Sequence, residues 1–400
     1  MNNMRRSILM LLQSDFPPDI RVEKEIKALA NDGYSIAILS NNKKNRPLQE
    51  PAKGAEIYRL KTHRFWGKSI GQKFNLPVPI NPFWIFPFLR LGTRKKPFAI
   101  HVHDLPFGLF GIVGKLIFNA KFVLDLHENY PAALALWGQK GGFFSRIFRN
   151  ARLAEAYEKI CCRFADQIIV VASAHQQFLE KKYRINNKIK VVGNTVEWGT
   201  YEKFPLDSEI LTQYAHHFVV TFLGQLSPER DLDIALQAIP YLRERIHGIK
   251  LLIIGDGPIR HKLEKQIEEQ NLTENVELVG WVPFEKTSSY LAASHICIIP
   301  QGSNDLIDNG TPHKLFQYMA MGKPVVVSDA RAMRQVVEET KCGEVFQSKS
   351  PKDFARAILK IKNNPDFPYG ENGIRAVQEK YNWDRDAQTL RRLYDELLST

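Results

Sequence analysis

Residues 311–329, TPHKLFQYMAMGKPVVVSD, place a helix start, a helix end and a buried strand in direct succession. A Gly-Thr-Pro turn at 310–312 precedes a helical pattern over 314–321, which the Met-Gly pair at 321–322 ends. The Lys-Pro pair that follows leads into the continuously apolar run VVV, which is typical of a strand buried on both faces of a parallel sheet. This stretch therefore predicts one helix and one strand of a doubly wound α/β domain.

The amino-terminal end of this helix is suited to an anionic ligand. Its unpaired backbone N–H groups and the positive end of the helix dipole favour a diphosphate. We predict that Gly310, Thr311 and the amides after them contact that diphosphate. Lys314, one turn into the helix, would add a positive charge, and Gln317 on the same face would hydrogen-bond a ribose hydroxyl.

Outward from this stretch, short apolar runs of strand length alternate with helical patterns along the whole chain. The first series of runs is SILMLLQ, YSIAILS, FAIHVHD, KFVLDLH, QIIVVAS and IKVVGN, and the second is HFVVTFLG, IKLLIIGDG, NVELVG, HICIIP and KPVVVSD. The helical patterns lie at 21–31, 106–118, 143–164, 231–245, 260–269, 314–321 and 351–362. Two such series predict two Rossmann-like domains, and residues 193–217, which show no clean period, are the predicted linker.

The length and charge of the chain limit the classes of protein to which it can belong. Four hundred residues exceed what one hydrophobic core usually organises, which favours two domains. The net charge of +12 is uneven, because residues 1–200 carry 31 Lys and Arg against 15 Asp and Glu, whereas residues 201–400 carry 24 against 28. A basic first half fits an anionic membrane surface or an anionic acceptor. The motifs that would favour nucleic acid are missing from the sequence.

The cysteines and the N-terminal region indicate a cytoplasmic protein. Cys161, Cys162, Cys297 and Cys342 form neither a CxxC pair nor a Cys/His cluster of zinc spacing, so no structural metal is expected. The apolar run over 8–12 is too short for a signal peptide. No stretch of the sequence approaches the roughly 18 apolar residues of a spanning helix.

The stretch 311–329 resembles the donor-binding signature of family 4 glycosyltransferases of the GT-B architecture, in the branch whose helix reads P-x-K-L-F-x-Y-M-A-x-G-K-P-V-V. Further segments resemble family landmarks in the same order, namely FPPDIRVEKEIKALANDGY, HVHDLP, VLDLHENYP, FLGQLSPERDLD, IIGDGP, VELVGWVP and EKYNWD. The resemblance implies two Rossmann-like doubly wound domains facing a central cleft and a nucleotide-sugar donor, without a metal. It implies an acceptor-binding domain over 1–200, a donor-binding domain over 201–383, and a helix over 384–400 that crosses back to the first domain.

For the donor, the resemblance points to the loop after the first strand of the second domain. Gly224 lies in this loop, and Gln225 and Arg230 occupy the places where the family has an Arg/Lys pair that contacts the diphosphate. One of the two charges therefore remains. The segment VELVGWVP adds Trp281 and Val282 to the predicted donor-binding residues.

Two further positions depart from the family pattern. Asn309 and Gln317 stand where the family often has two Glu residues, one near the donor sugar and one on the ribose. An amide keeps an acceptor for a hydroxyl but loses the charge, which roughly halves the hydrogen-bond energy. These departures leave open a glycosyltransferase-like binding or scaffold subunit as the alternative to an enzyme. A related epimerase or phosphorylase is a lesser alternative, because its motifs are missing from the sequence.

In the first domain, the resemblance implies a reaction centre at His127. This residue follows the run VLDL and would contact the donor sugar, and an imidazole can donate or accept a hydrogen bond near developing charge. Glu128 would orient it or meet the acceptor. The loop SDFPPDIR after the first strand would bring Pro18 and Arg21 to the acceptor, with Arg21 supplying charge. We predict His127 and Arg230 as the catalytic residues.

The family transfers sugars with retention, either through a covalent intermediate on a carboxylate or by front-face attack, in which the leaving phosphate takes the acceptor proton. The sequence offers no clear nucleophile, which favours front-face attack. The task of the protein is then to stabilise the leaving diphosphate, with Arg230, Lys314 and the helix amides, and to position the acceptor.

Two segments of the first domain mix aromatic and cationic residues. They are INPFWIFPFLRLGTRKK at 80–96 and GGFFSRIFRNARL at 141–153. Such mixtures are typical of surfaces that lie in an anionic membrane interface, and packing in the core is an equally weighted alternative for their aromatic rings. We therefore predict a peripheral position on the inner face of a membrane and a lipid-linked glycan acceptor in cell-surface polysaccharide synthesis.

Overall fold

A computed structural model of the chain describes residues 6–61, 64–65, 68–69, 82–139 and 150–399. The chain divides into two compact units, one formed by Met1–Val192 with Asp386–Thr400 and the other by Gly193–Arg385. Each unit is a layered α/β domain with its own sheet and its own core, so each is described by itself.

In the first unit, strands and helices alternate through most of the chain. Its strands are β1 (Ser7–Asp15), β2 (Ser35–Asn41), β3 (Gln49–Ala52), β4 (Ala55–Arg59), β5 (Arg64–Phe65), β6 (Lys68–Ser69), β7 (Ala99–His103), β8 (Lys121–Leu126), β9 (Gln167–Val170) and β10 (Ile189–Val191). Its helices are α1 (Ile20–Asn31), α2 (Pro82–Lys95), α3 (Gly108–Phe118), α4 (Tyr130–Gln139), α5 (Ala151–Phe164) and α6 (Ser173–Tyr183).

Eight of these strands form one sheet in the order β10-β9-β8-β7-β1-β2-β4-β3. The pairs are parallel except for β3, which runs antiparallel to β4. In β1, the five residues from Ile8 to Leu12 are all at most 3% exposed, as expected for a strand covered on both faces. The predicted doubly wound sheet of the first unit is therefore confirmed.

In the second unit, strands and helices alternate in the same way, and the strands are shorter. Its strands are β11 (Phe218–Leu223), β12 (Ile249–Ile254), β13 (Val276–Gly280), β14 (Ile296–Ile299), β15 (Val325–Ser328) and β16 (Gly343–Phe346). Its helices are α7 (Ser208–Tyr214), α8 (Leu232–Arg243), α9 (Arg260–Glu269), α10 (Phe284–Ala293), α11 (His313–Ala320), α12 (Arg331–Thr340), α13 (Pro351–Lys362) and α14 (Tyr369–Glu379). The sheet order is β13-β12-β11-β14-β15-β16, with parallel pairs throughout.

The last helix, α15 (Trp383–Ser399), begins in the second unit, and its residues from Asp386 onward belong to the first. At its start, the Trp383 amide donates to the carbonyl of Val196. Farther along, Tyr394 is fully buried and Arg391 Nε donates to the carbonyl of Ala28 at 3.3 Å. The carboxyl-terminal turns thus complete the core of the first unit.

The predicted linker at 193–217 is structured rather than irregular. It contains a 3-10 turn at Tyr201–Lys203 and helix α7, whose Ile210 and Tyr214 are buried. Elements this short contain too few turns for their apolar residues to show a periodic spacing in the sequence. For the predicted helix at 143–164, the described part is α5, which starts after the Asn150 cap, and residues 140–149 lie outside the described ranges. Across the described ranges, the helices are too short or too polar for one to cross a membrane.

Helix α3 packs so closely on β8 that one of its glycines has no room for a side chain. A Cβ atom at Gly111 would lie 2.0 Å from a ring carbon of the fully buried Phe122. We expect Gly111→Ala to destabilise the first unit by about 3 kcal/mol, because neither the ring nor the helix can move away without disturbing the core. The loss of stability is measured by thermal unfolding. Gly310→Ala is the control, because its Cβ meets no atom within 4 Å, and its expected change is within about 0.5 kcal/mol.

Candidate active site

Gly224, Gln225 and Arg230 lie in the loop after β11, next to the loop after β12 at the carboxyl ends of these strands. The loops after these strands are joined by backbone hydrogen bonds, from Gly224 to Ile254 and from Leu226 to Asp256, both of 2.9 Å. Gly224 has a φ of +142°, and a Cβ atom there would lie 2.5 Å from Lys314 Nζ. Glycine is therefore needed at 224 both for the turn and for the close approach of the lysine.

Lys314 is a buried cation that lacks an anionic partner among the described residues. It is 9% exposed, its Nζ lies 3.9 Å from the ring centre of Phe222, and no residue within the described ranges accepts a hydrogen bond from it. Burial and the nearby charge of Arg230 hold the pKa of Lys314 well below its usual range. An ammonium that only an aromatic ring stabilises keeps most of its desolvation cost, and a bound anion would remove that cost.

Arg230 ends the 3-10 turn Pro228–Arg230 in the loop after β11. One of its terminal nitrogens donates to Gln301 Oε1 at 2.6 Å, while its Nε has no partner within the described ranges. Burial lowers its pKa, yet a guanidinium remains charged in proteins. The structure therefore brings Arg230 and Lys314 together as two incompletely paired cations beside Gly224.

Helix α11 begins at His313, one residue before the predicted start, and Thr311, which precedes the Pro312 cap, is buried. Asn309 is also buried; its amide donates to the carbonyl of Asp305 at 2.8 Å, and its Oδ1 has no partner among the described residues. The Gln317 side chain lies beside the Tyr201 hydroxyl. The buried oxygen of Asn309 is thus free to accept a hydrogen bond from a ligand.

The other predicted donor residues are more exposed. Gln225 is at the surface, and Gly310 is bordered by open space. Trp281 and Val282 follow β13, which is separated from β11 by β12, and Trp281 is 74% exposed. These two residues lie farther along the same edge of the sheet than Lys314 and Arg230.

In the first unit, His127 follows β8 and its ring is held between two carboxylates. Its Nε2 donates to Asp125 Oδ2 at 3.0 Å, and its Nδ1 lies 3.6 Å from Asp104 Oδ2. Burial opposes the charged form, but the charges of Asp104 and Asp125 outweigh it and raise the pKa of His127 to about 9. The ring is therefore an imidazolium at neutral pH, a donor of hydrogen bonds and positive charge and not a base.

Asp125 is the centre of a buried network, and Arg21 is part of it. Arg21 donates to both oxygens of Asp125, at 3.3 and 2.9 Å, and to the carbonyl of Val192 at 2.9 Å. Arg21 and His127 hold the pKa of Asp125 well below its usual range, although burial acts in the opposite direction. The prediction of Arg21 as an acceptor contact is corrected here, because its guanidinium is buried and bonded inside the unit.

Two stacked histidines from β7 line the other side of Asp125. The ring centres of His101 and His103 are 4.4 Å apart. His103 Nδ1 lies 3.3 Å from Asp125 Oδ2, and His101 Nδ1 lies 2.9 Å from the Tyr394 hydroxyl. Burial and His101 lower the pKa of His103 to about 4, so this histidine is neutral.

Four members of this network could offer ligands to a divalent cation. Glu25, His101, His103 and Asp125 each present one ligand atom within 4.8 Å of the others. The guanidinium of Arg21 already pairs with both carboxylates, 3.1 Å from Glu25 and 2.9 Å from Asp125. Because a second cation beside this guanidinium would be repelled, we interpret the cluster as an ion-pair network that supports His127.

The remaining predicted residues of the first unit are Glu128 and Pro18. Glu128 is half-buried, and burial and the charge of Asp104 raise its pKa to about 7. Asp104 also accepts from the His127 amide at 3.2 Å. Pro18 is exposed in the loop between β1 and α1. Glu128 therefore titrates near neutral pH, beside a histidine that does not.

Sequence reasoning missed Asp125, Asp104 and the two stacked histidines, although a signal was present. Asp125 and His127 are two residues apart, as are His101 and His103, and period two places such pairs on one face of a strand. The register of β7 and β8 sets His103 opposite Asp125. Polar residues that alternate in otherwise apolar strands mark a buried polar cluster.

Two family models match successive parts of the chain. The model described as Glycosyltransferase Family 4 matches residues 20–197, and the model described as Glycosyl transferases group 1 matches residues 204–379. The gap between the two matches, at 198–203, lies close to the division between the two units at 192 and 193.

Full-length relatives share this organisation. The alpha-D-kanosaminyltransferase of Streptomyces kanamyceticus is 23% identical over 396 residues, which cover 98% of this chain and 94% of that protein. Among solved structures, sucrose-phosphate synthase from Thermosynechococcus elongatus has a TM-score of 0.80 at 19% identity, covering 98% of this chain and 99% of that one. Anabaena HepE in complex with UDP has a TM-score of 0.69 at 16% identity, covering 98% and 100%. At these identities the structural likeness shows the fold, which is GT-B.

Proposed function

Because the chain belongs to the glycosyltransferases that these two models describe, we propose that it moves a sugar from a nucleotide diphosphate donor to a lipid-linked glycan acceptor with retention of anomeric configuration. The donor class is supported by the UDP in the Anabaena HepE structure and by the sugar transfer in the name of the Streptomyces relative. The product would enter cell-surface polysaccharide synthesis in the cytoplasm.

The observation that carries the donor proposal is the pair Lys314 and Arg230. Both are largely buried, and each presents a nitrogen without an acceptor among the described residues. Unpaired buried cations are costly to a folded protein, so their persistence fits a site that a diphosphate completes. Lys314 replaces the charge missing at Gln225, because its Nζ reaches the Gly224 loop.

In the proposed reaction, the bond between the anomeric carbon and the phosphate oxygen breaks while the acceptor hydroxyl adds to the same face. The leaving phosphate takes the hydroxyl proton. Lys314, Arg230 and the first amides of α11 stabilise the charge that develops on the diphosphate. His127 of the first unit stays the predicted contact of the donor sugar, and no metal is assigned to the step.

An amphipathic acceptor is supported by a groove on the first unit. A cavity of about 500 Å³ is lined by the apolar side chains of Leu48, Tyr58, Phe83, Phe86, Pro87 and Leu91 and by the cations Arg59, Lys61, Arg90 and Arg94. Within the predicted segment 80–96, Phe86 is 71% exposed, whereas Trp84 and Phe88 are buried. Half of the aromatic residues there thus pack in the core, and the exposed half suits a lipid chain beside an anionic headgroup. Most of the second segment, 141–153, lies outside the described residues.

The proposal is tested with purified protein, a panel of nucleotide sugars and membrane extract as the source of acceptor. Release of a nucleoside diphosphate that depends on the extract, with a product of retained anomeric configuration by NMR, is the expected result. Tight binding of one nucleotide sugar without release under all conditions would instead support the alternative of a binding or scaffold subunit.

A variant of Arg230 tests the donor site. We expect Arg230→Gln to lower kcat/KM for the donor by about 100-fold, because one charge-assisted contact with the diphosphate is lost. Steady-state kinetics at varied donor concentration measure the change. The control is Arg243→Gln, since Arg243 is an exposed residue at the end of α8. An equal loss in both variants would show a general charge effect and contradict the assignment.

A further inference from the structure

Helix α5 bears two parallel lines of side chains on the surface of the first unit. One line is cationic and consists of Arg152, Lys159 and Arg163, and the other is apolar and consists of Leu153, Ile160 and Phe164. All six are exposed. Within each line the spacing is i, i+7 and i+11, which keeps side chains on one face of a helix of 3.6 residues per turn. The two lines are one residue apart, so they run side by side.

The apolar line continues onto the neighbouring helix. Leu153, Ile160 and Phe164 are 67%, 49% and 45% exposed. Leu116 and Ile117, in the last turn of α3, are 72% and 60% exposed. Lys115 Nζ donates to the carbonyl of Phe164 at 3.1 Å, which places that turn beside the end of α5. Exposed apolar side chains grouped in this way on a soluble domain indicate an interaction surface.

The cationic line is not compensated by nearby carboxylates. Within the described part of the chain, the side chains of Arg152, Lys159 and Arg163 form no ion pair. Two acidic residues lie near this face, and each already has a lysine: Glu155 pairs with Lys182 at 3.0 Å and Asp166 with Lys115 at 2.6 Å. A net positive strip therefore borders the apolar one.

We propose that this face, formed by α5 and the last turn of α3 and called the α5 face below, rests on an anionic lipid surface. Its apolar line would enter the boundary between headgroups and acyl chains, and its cationic line would lie against anionic headgroups. The α5 face deepens the membrane proposal above and includes Arg152 and Leu153 of the predicted segment 141–153. It adds residues of α3 and α5 that neither predicted segment contains.

A second copy of the chain fits this face less well than lipid does. In a two-fold symmetric dimer the same patch must be complementary to itself. Because the α5 face carries three unpaired cations and no unpaired carboxylate among the described residues, two copies would bring like charges together. An anionic membrane complements both the charge and the apolar line.

The first test measures binding of the full chain to vesicles by cosedimentation. Wild-type protein should bind vesicles of equal parts phosphatidylglycerol and phosphatidylcholine, and bind phosphatidylcholine alone far more weakly. The triple variant Arg152→Gln, Lys159→Gln and Arg163→Gln should partition about 100-fold more weakly, since each cation near an anionic surface contributes roughly a factor of five. The matched control replaces three cations of the second unit, Lys265, Arg334 and Lys352, by Gln and should bind like the wild type.

The second test separates the apolar line from the charges. The pair Leu153→Ser and Ile160→Ser should weaken binding by at least about tenfold through the lost apolar area, with the salt dependence of binding unchanged. The charge variant should lose that salt dependence, because salt screens exposed charges. Equal binding of wild type and charge variant would overturn the proposal. The proposal would also be overturned if the wild type did not bind vesicles and light scattering showed wild-type dimers that dissociate in the charge variant.

The vesicle assay contains no sugar donor, so its outcome is independent of the proposed transferase reaction. We expect the charge variant to release nucleoside diphosphate at the wild-type rate with a water-soluble acceptor, because the α5 face contains none of the residues assigned to the site. Failure of sugar transfer with intact vesicle binding would count against the proposed function alone.

Discussion

Replacing Lys314 with Met is expected to weaken donor binding by roughly 100-fold and, at the same time, to raise the Tm of the second unit by several degrees. The first effect follows from the loss of a buried amine that would pair with the proposed diphosphate. The second follows from burial, because Lys314 Nζ has no acceptor in the part of the chain that the structure describes and burial holds its pKa well below the usual range. Removing such an unpaired charge stabilises a protein by about 1–3 kcal/mol, and each kcal/mol shifts the Tm by about 2–4 °C in a domain of this size.

Calorimetric titration with the nucleotide sugar and differential scanning fluorimetry measure the two effects. Lys323→Met is the matched control. Lys323 is also a partly buried lysine of the second unit, but its Nζ donates to the carbonyls of Ala292 and Ser294, both at 2.8 Å. That variant should lose stability, since two carbonyls lose their donor, and should keep its donor affinity. A stability loss in both variants with unchanged affinity would make Lys314 a structural lysine.

Replacing Asp125 with Asn should lower the pKa of His127 from about 9 toward its ordinary value of 6.5, and slow sugar transfer by roughly 10- to 100-fold. The Asp125 carboxylate accepts from His127 Nε2 at 3.0 Å, and an amide of the same shape keeps the contact without the charge. At neutral pH a larger fraction of the His127 rings would then be uncharged than in the wild type. NMR titration of the histidine ring nitrogens measures the pKa directly.

The same variant has a defined effect on the pH dependence of stability. Because the folded pKa of His127 lies above its unfolded value, the ion pair contributes stability below pH 6.5, and this contribution is lost as the pH rises through 9. The stability difference between wild type and Asp125→Asn should therefore narrow between pH 6.5 and 9. Denaturant unfolding at a series of pH values gives this difference.

A buried carboxyl elsewhere in the first unit serves as the control for Asp125. Glu158 is fully buried and accepts from the Tyr183 hydroxyl at 2.6 Å. Glu158→Gln should leave the pKa of His127 unchanged. Should His127 titrate above pH 8 in Asp125→Asn, or near 6.5 in the wild type, the role of Asp125 as its positioning residue would be wrong.

Much of the fold could be predicted from the sequence because its signals are local. A strand covered on both faces needs an unbroken apolar run, and the turn before α11 needs Thr311 and Pro312 at fixed places, so both can be recognised without any partner. Short elements such as α7 were missed, since one or two turns of helix give no period. Aromatic content alone could not separate the buried Trp84 from the exposed Phe86.

The sequence by itself determined the two doubly wound sheets, the turn into α11 and the candidate donor residues around it, because neighbours along the chain specify all three. Only the tertiary structure decided which charges have partners. Arg21 and Asp125 are 104 positions apart and form a buried ion pair, so the structure places Arg21 in the network that supports His127. Lys314, which the sequence places one turn into α11, is buried beside Gly224 without an anion among the described residues. The electrostatic energy of a charge depends on its surroundings in space, and those surroundings are set by folding.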